Sequence, residues 1–225
     1  MDLKNNWWKY LGIVLVAYTL FTGLISPVPS LVILHETIRN LYFHVTMWFA
    51  MIIVLTISVY QSIKYLGNSK IDTDDIAYES SKVGVMFGLL GVSTGSLWAN
   101  FTWGAWWVSD PKLNGAAVTL LFYFAYIVLR NSIDDPEKKA RISAIYNIFS
   151  YVMLIVFLLI LPRMTDSLHP GNGGNPGFNQ YDLDSKMRAI FYPAIFGWTL
   201  LGVWMMQMGV KLKKIERIIN SANNF

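Results

Sequence analysis

The chain has 225 residues, of which 54% are hydrophobic and only 14% are charged, and its net charge is +4. The mean hydropathy is +0.41. Soluble domains carry about 25% charged residues, so this composition indicates a protein that lives in lipid. The chain contains no cysteine, which excludes disulfides, thiolate metal sites and thiol–disulfide exchange as its own chemistry.

Six apolar stretches approach the length of about 20 residues that a helix needs to cross a bilayer. They predict an all-α fold with six transmembrane helices, in one integral-membrane domain over residues 1–225. The first stretch follows Lys4 and Lys9, as a signal peptide would. The sequence "LISPVPS" after it is a poor cleavage site, which favours a retained span. The predicted spans lie near 8–26, 42–64, 80–98, 115–130, 142–161 and 189–210.

The distribution of lysine and arginine predicts the orientation, because these residues tend to stay on the cytoplasmic side. With the N-terminus inside, 13 of the 18 basic residues become cytoplasmic, so we expect both termini in the cytoplasm. The outside loops are then about 27–41, 99–114 and 162–188, and the inside loops are 65–79 and 131–141. The basic residues left outside are Arg39, Lys112, Arg163, Lys186 and Arg188.

The same distribution argues against nucleic acid as a partner. A nucleic-acid-binding protein gathers its basic residues into one patch, whereas these residues are spread over four inside segments, next to membrane lipid. Charged side chains within spans usually mark ion or proton pathways. The middle of every predicted span lacks Asp, Glu, Lys and Arg, so the sequence indicates no such pathway.

Two histidines fall at the same predicted membrane depth on the outer face. His44 lies where the second span enters the membrane, and His169 lies in the last outside loop. Imidazole is a common axial ligand of heme iron, although single histidines near an interface are also often packing residues, and the residues alone leave both interpretations open. His35 comes nine residues before His44, which would place it on the opposite face of a continuous helix. We therefore expect His35 not to bind iron.

The stretch "SLWANFTWGAWWVSDPKL", residues 96–113, contains four tryptophans, the first of which is Trp98. Trp103, Trp106 and Trp107 follow i, i+3, i+4 spacing, which predicts one aromatic patch on a helical turn, with open space at Gly104. Such a patch suits the face of a porphyrin. Tryptophans can instead belong to the aromatic belt at the membrane surface.

The end of the same stretch carries charge and a proline. Asp110 and Lys112 are candidates to anchor the loop or its ligand. Pro111 between them is expected to end a helix.

For three other tryptophans we favour the aromatic belt at the membrane surface, since each lies near the end of a span: Trp7, Trp8 and Trp48.

The run "GSLWANFTWGAWWVSDPKL" resembles the WWD signature, WGxWWxWD, of heme-handling membrane proteins. With six spans and one such loop, at about 98–113, the chain resembles the CcmC family of cytochrome c maturation. This resemblance implies that heme b binds non-covalently and in transit on the outer face, with His44 and His169 as axial ligands. The pattern "RNLYFHV" implies that Arg39 contacts a heme propionate. Ser109 stands where the family usually has tryptophan, and Lys112 where it often has arginine.

The resemblance also implies a carrier, not an enzyme, in the bacterial cytoplasmic (inner) membrane. Its implied partners are the periplasmic heme chaperone CcmE, the small membrane protein CcmD and the ATP-binding-cassette complex CcmAB. The tryptophan loop would then dock chaperone and heme together. A heme lyase that attaches heme to apocytochrome is the alternative, although the relatives of that type, CcmF and CcsA, are larger. A di-heme electron-transfer protein is disfavoured, because no histidine lies in the middle of a span.

Overall fold

The computed structural model describes residues 3–31, 34–169 and 183–223, and within these ranges the chain is helical without a strand. The all-α prediction is therefore confirmed. The helices are α1 (Leu3–Ile25), α2 (Leu41–Asn68), α3 (Ile71–Trp103), α4 (Pro111–Asn131), α5 (Pro136–Leu154), α6 (Leu161–Met164) and α7 (Ser185–Asn223). A 3₁₀ segment, His35–Asn40, leads into α2, and a π-helical segment, Ile155–Ile160, joins α5 to α6.

Within the described residues, six helices are long and apolar enough to cross a membrane, as the sequence predicted. Several are longer than the predicted spans, above all α3 with 33 residues and α7 with 39. The predicted inside loop 65–79 is wrong, because α2 continues to Asn68 and α3 begins at Ile71. Asp72 and Asp74 lie in the first turn of α3, where carboxylates are stabilised by the helix dipole. Hydropathy alone assigns such a charged helical turn to a loop, because it measures only the polarity of the residues.

Charged side chains join α3, α4 and α7 at the end of the bundle away from His44 and His169. Asp74 accepts two hydrogen bonds from Arg130, at 2.8 and 2.5 Å, and both side chains are buried. Lys213 of α7 lies 3.5 Å from Asp75, and its ammonium is 4.2 Å from the centre of the Tyr78 ring. These pairs explain how the charges at the start of α3 are accommodated inside a helix bundle.

The middle of the bundle is organised around α2, which packs against α3, α5 and α7. Glycines let the helices approach closely. Gly84 of α3 faces Leu55, and a β-carbon there would lie 2.4 Å from the leucine side chain. Between α2 and α5, the buried Asn147 amide donates to the hydroxyls of Ser58 and Ser62, at 2.8 Å each. This packing fixes α2 relative to α3 and α5.

We expect Arg130→Gln to lower the free energy of unfolding by about 3–5 kcal/mol, because it leaves the buried Asp74 carboxylate without its partner. The loss can be measured by reversible unfolding in mixed detergent micelles. Lys138→Gln is the matched control, since this exposed side chain is on the same side of the bundle and no ion pair involves it among the described residues. Equal stability of the two variants would contradict the prediction.

Candidate functional site

A cavity of about 550 Å³ opens at the end of the bundle where α3 ends and α4 begins. Its volume lies in the usual range for small-molecule sites. Of the residues that the sequence proposed for the site, six line the cavity: His44, Trp98, Trp103, Trp107, Lys112 and His169. The remaining wall is mostly apolar, so the cavity suits a ligand with a large apolar face.

His44 lies in the first turn of α2 and turns its ring toward α3. Its Nδ1 atom is 2.9 Å from the carbonyl oxygen of Gly91. A carbonyl oxygen can only accept, so Nδ1 carries the proton and Nε2 keeps a free lone pair. The rings of Trp98 and Trp48 stand edge-on to the imidazole, with centroids 5.8 and 6.2 Å away. The backbone carbonyl of Gly91 thus holds the imidazole in the tautomer in which Nε2 can bind a metal.

Two glycines of α3, one turn apart, make space for side chains of α2: Gly95 for His44 and Gly91 for Trp48. A β-carbon at Gly95 would lie 2.5 Å from Cε1 of His44, and one at Gly91 would lie 2.7 Å from the Trp48 ring. Neither glycine was predicted from the sequence to belong to the site. Their G-x-x-x-G spacing inside an apolar span was a usable signal, since this pattern marks close approach between membrane helices.

Asp110 holds the second histidine. Its carboxylate is 1% exposed and accepts from the His169 Nδ1 atom at 3.0 Å. It also accepts from the backbone nitrogen of Lys112 at 2.9 Å, and from the Ser167 hydroxyl and the Leu168 nitrogen at 2.8 Å each. Since Nδ1 donates to the carboxylate, the Nε2 atom of His169 is the one left free to bind a metal.

The electrostatics of this pair favour a neutral imidazole beside a charged carboxylate. Burial lowers the pKa of His169 below its ordinary value of 6.5, and the negative charge of Asp110 only partly opposes this shift. For Asp110, burial raises the pKa, but the hydrogen bonds from Leu168 and Ser167 and the charge of His169 outweigh burial, and the pKa is lowered. Neutral imidazole is the form that binds metals.

The predicted aromatic patch on a helical turn is wrong. Trp103 is the last residue of α3, and Gly104 ends the helix with a left-handed φ of +76°. Trp106 and Trp107 therefore lie on non-helical chain, with 60% and 42% of their surfaces exposed. Trp103 packs its ring edge-on to His169, with centroids 5.0 Å apart. Helical spacing could not anticipate a glycine in the left-handed region.

Hydrogen bonds hold this stretch in place. The indole nitrogen of Trp98 donates to the Thr37 hydroxyl at 3.0 Å, and that of Trp107 donates to the Asn114 side chain at 3.2 Å.

The expectation that Pro111 ends a helix is also wrong, because Pro111 is the first residue of α4. Proline suits this position since its missing N–H is not needed there, and Asp110 caps the helix.

Arg39 does not line the cavity. Its guanidinium donates to the carbonyl oxygens of Gly23 and Ser26, at 2.9 Å each, and pairs with Glu36. A cation is well placed at these carbonyls, which belong to the C-terminal end of α1. The structure therefore separates Arg39 from the histidines that the sequence grouped with it.

The remaining residues proposed from the sequence lie around the cavity. Gly104 and Trp106 belong to the connection between α3 and α4 but do not line the cavity, and neither does His35. His35 begins the 3₁₀ segment with a φ of 43°, so the continuous helix assumed from His35 to His44 is wrong. Of the predicted outside loop 162–188, residues 170–182 lie outside the described part of the chain.

In the described part of the chain, six helices have the length and composition of membrane spans, which defines a polytopic membrane protein. The two imidazoles that line one apolar cavity define a candidate site for a flat metal complex. The family model CcmC, described as heme exporter protein C, matches residues 2–224. The chain therefore belongs to the heme exporter protein C family.

Individual relatives agree with this assignment. Heme exporter protein C of Escherichia coli (strain K12) is 29% identical over 129 residues, 57% of this chain and 51% of that protein. The Paracoccus denitrificans protein of the same name is 26% identical over 95 residues, 42% of this chain and 39% of the relative. The cytochrome c biogenesis protein CcsA of Prochlorococcus marinus (strain MIT 9515) is 38% identical over 87 residues, 39% of this chain and 27% of the relative. The matched part of the chain spans about half of these relatives or less.

We expect Asp110→Asn to lower the pKa of His169 further, because it removes the negative charge that raises this pKa. In the wild type, the pKa of His169 is lower in the folded state than in the unfolded state, so the unfolded state takes up the proton first as the pH falls below 6.5. The folded protein therefore loses stability as the pH falls from 6.5 through the folded-state pKa. The imidazole can be followed by ¹³C NMR during a pH titration. Asp166→Asn, an exposed position in the same segment, should leave the titration unchanged. A higher His169 pKa in Asp110→Asn would refute the assignment.

Proposed function

We propose that the protein binds heme b non-covalently in this cavity, with the Nε2 atoms of His44 and His169 as the two axial ligands. The supporting observation is that both rings donate their Nδ1 protons to acceptors of the protein and line the same apolar cavity. Iron supplies two axial positions for imidazole nitrogen. The family model and the relatives named for heme export and cytochrome c biogenesis support heme as the cargo.

The two ligands are held in different ways, and this difference suits a carrier. His44 belongs to a continuous helix, whereas His169 lies after the end of α6 and is attached to α4 through Asp110. Residues on connecting segments move more readily than those within helices. The heme can therefore be released by displacing the segment with His169, while α2 and α3 stay in place.

We further propose that the cavity faces the periplasm of a bacterial inner membrane, with both termini in the cytoplasm. The excess of lysine and arginine on the opposite side supports this orientation. The recipient is a periplasmic heme chaperone of the CcmE type, with CcmD and CcmAB as further partners, and the exposed rings of Trp106 and Trp107 are available to meet it.

A synthase that joins heme to apocytochrome is the second candidate, because the matched relatives include cytochrome c biogenesis proteins named CcsA. The carrier is favoured because the family model that matches residues 2–224 is described as heme exporter protein C. An assay of thioether formation by the purified protein, without a chaperone, separates the two: a carrier forms none.

Purified with heme, the wild type should have the low-spin spectrum of a bis-imidazole complex. His44→Ala and His169→Ala should each lose this spectrum, because each removes one axial ligand, and added imidazole should restore part of it. His35→Ala is the matched control and should keep the spectrum, since His35 does not line the cavity. If both site variants kept the spectrum unchanged, the ligand assignment would be wrong.

Gly95→Ala should weaken heme binding about fivefold to 150-fold, because the added β-carbon collides with the imidazole of His44 and overpacking costs about 1–3 kcal/mol. Gly67→Ala is the control, because nothing lies within 4 Å of a β-carbon at that position in α2. Heme titration of the two purified variants gives the comparison, and equal affinities would mean that the close contact at Gly95 has no role in the site.

A further inference from the structure

The π-helical segment Ile155–Ile160 lies against α4 at a point where α4 has no side chain. Gly115 of α4 faces the carbonyl group of Phe157. A β-carbon at this glycine would overlap the carbonyl oxygen and lie 3.0 Å from the carbonyl carbon. These neighbours are backbone atoms, which cannot turn aside as a flexible side chain can. The close approach of the two backbones therefore requires glycine at position 115.

The local sequence leaves the carbonyl group of Phe157 without its helical hydrogen-bond donors. In a regular α-helix it would accept from the N–H of Leu161, four residues later. That N–H donates instead to the carbonyl oxygen of Val156, with the spacing of a π-helix. The donor expected five residues after Phe157 is missing, since residue 162 is proline. The oxygen consequently faces α4, where the α-carbon of Gly115 can approach it.

Ring contacts hold the same residue of the π-helical segment. The Phe157 ring stacks on Phe122 of α4, with centroids 6.0 Å apart and 27° between the ring planes. Phe122 also contacts Phe149 of α5 edge-on, with centroids 5.5 Å apart. The next two residues after Phe157, Leu158 and Leu159, line the cavity. The contact with α4 thus fixes the point from which the chain enters the wall of the site.

The other end of this stretch is attached to the same helix. Asp110, which caps α4, accepts hydrogen bonds from the His169 imidazole and from the backbone nitrogen of Leu168. The chain from Phe157 to His169 is therefore held by α4 at both of its ends. This arrangement makes α4 the reference against which the second histidine is placed.

We propose that Gly115 is a positioning residue of the site: it fixes the register of the π-helical segment and thereby the place of His169 in the cavity. This inference rests on the proposed function, since it takes His169 as a ligand of the cargo. A slip of one residue in the segment would turn the chain that follows by about 100° about the helix axis. The two attachments to α4 prevent such a slip and confine a displacement that releases the cargo to residues 158–168.

The first test needs no heme. Because the chain contains no cysteine, spin labels can be attached uniquely at Val128→Cys on α4 and Asp166→Cys near His169, both of which are exposed. The distance between the labels is measured by double electron–electron resonance on the full-length protein in detergent. We expect a narrow distribution that becomes shifted or broadened when Gly115→Ala is added. An unchanged distribution would overturn the inference, and Gly67→Ala, with nothing within 4 Å of its β-carbon, is the control that should stay narrow.

Heme ligation separates a positioning role from general damage to the fold. Gly115→Ala should replace the low-spin spectrum by the high-spin spectrum of heme with one imidazole, as His169→Ala does, and added imidazole should restore the low-spin form. The heme affinity should fall about tenfold. Combining Gly115→Ala with His169→Ala should cause no further loss, since both remove the same ligand, whereas the loss should add to that of His44→Ala. Additive losses with His169→Ala would contradict the inference.

A milder pair of variants keeps the test decisive should Gly115→Ala fail to fold. Phe122→Leu removes the ring stacked on Phe157 without touching the backbone contact, and should broaden the label distance to a smaller extent. Phe149→Leu is its matched control, because it removes the other ring partner of Phe122 and should keep the distribution narrow. Narrow distributions in both variants would count against the hold of α4 on the segment. Absence of the low-spin spectrum in the wild type would instead refute the proposed function, and the label distances would still decide the inference.

Discussion

The carboxylate of Asp110 is the point on which the candidate site depends. It caps α4, and it accepts from the segment that carries Ser167, Leu168 and His169. One side chain thus sets the start of a membrane helix, the position of a connecting segment and the tautomer of an imidazole. A buried carboxylate is stable only when its oxygens accept hydrogen bonds. Here four donors bind the carboxylate, which stabilises its negative charge, and the charged carboxylate in turn holds the donor groups in position.

The rest of the bundle presents this arrangement at a fixed distance from His44. Close contacts between α2 and α3, through Gly84, Gly91 and Gly95, hold the first histidine against a helix backbone. The ion pairs of Asp74 and Lys213 lock α3 to α4 and α7 at the opposite end. Since α3 runs through both regions without a break, the two ends of the bundle belong to one rigid element.

Much of the architecture could be predicted from the sequence, because hydropathy reports directly on burial in lipid and six spans follow from it. The histidines, which are scarce, and the tryptophans, which are clustered, predict a site at one end of the molecule, and five of them line one cavity there. The errors arose where backbone geometry decides. A left-handed Gly104 ends α3, and Pro111 begins a helix. Periodicity and motif spacing do not report where the backbone leaves a helix or begins the next one.

The space that holds His44 is formed by the carbonyl oxygen of Gly91 and by the missing side chain of Gly95. No substitution can adjust such a space gradually, because any β-carbon at Gly95 intrudes on the ring. The tether of His169 is different, since a carboxylate with four donors can lose them one at a time. In this protein, substitutions at the α4 end can therefore weaken the hold on His169 stepwise, whereas a β-carbon at Gly95 displaces the imidazole of His44 outright.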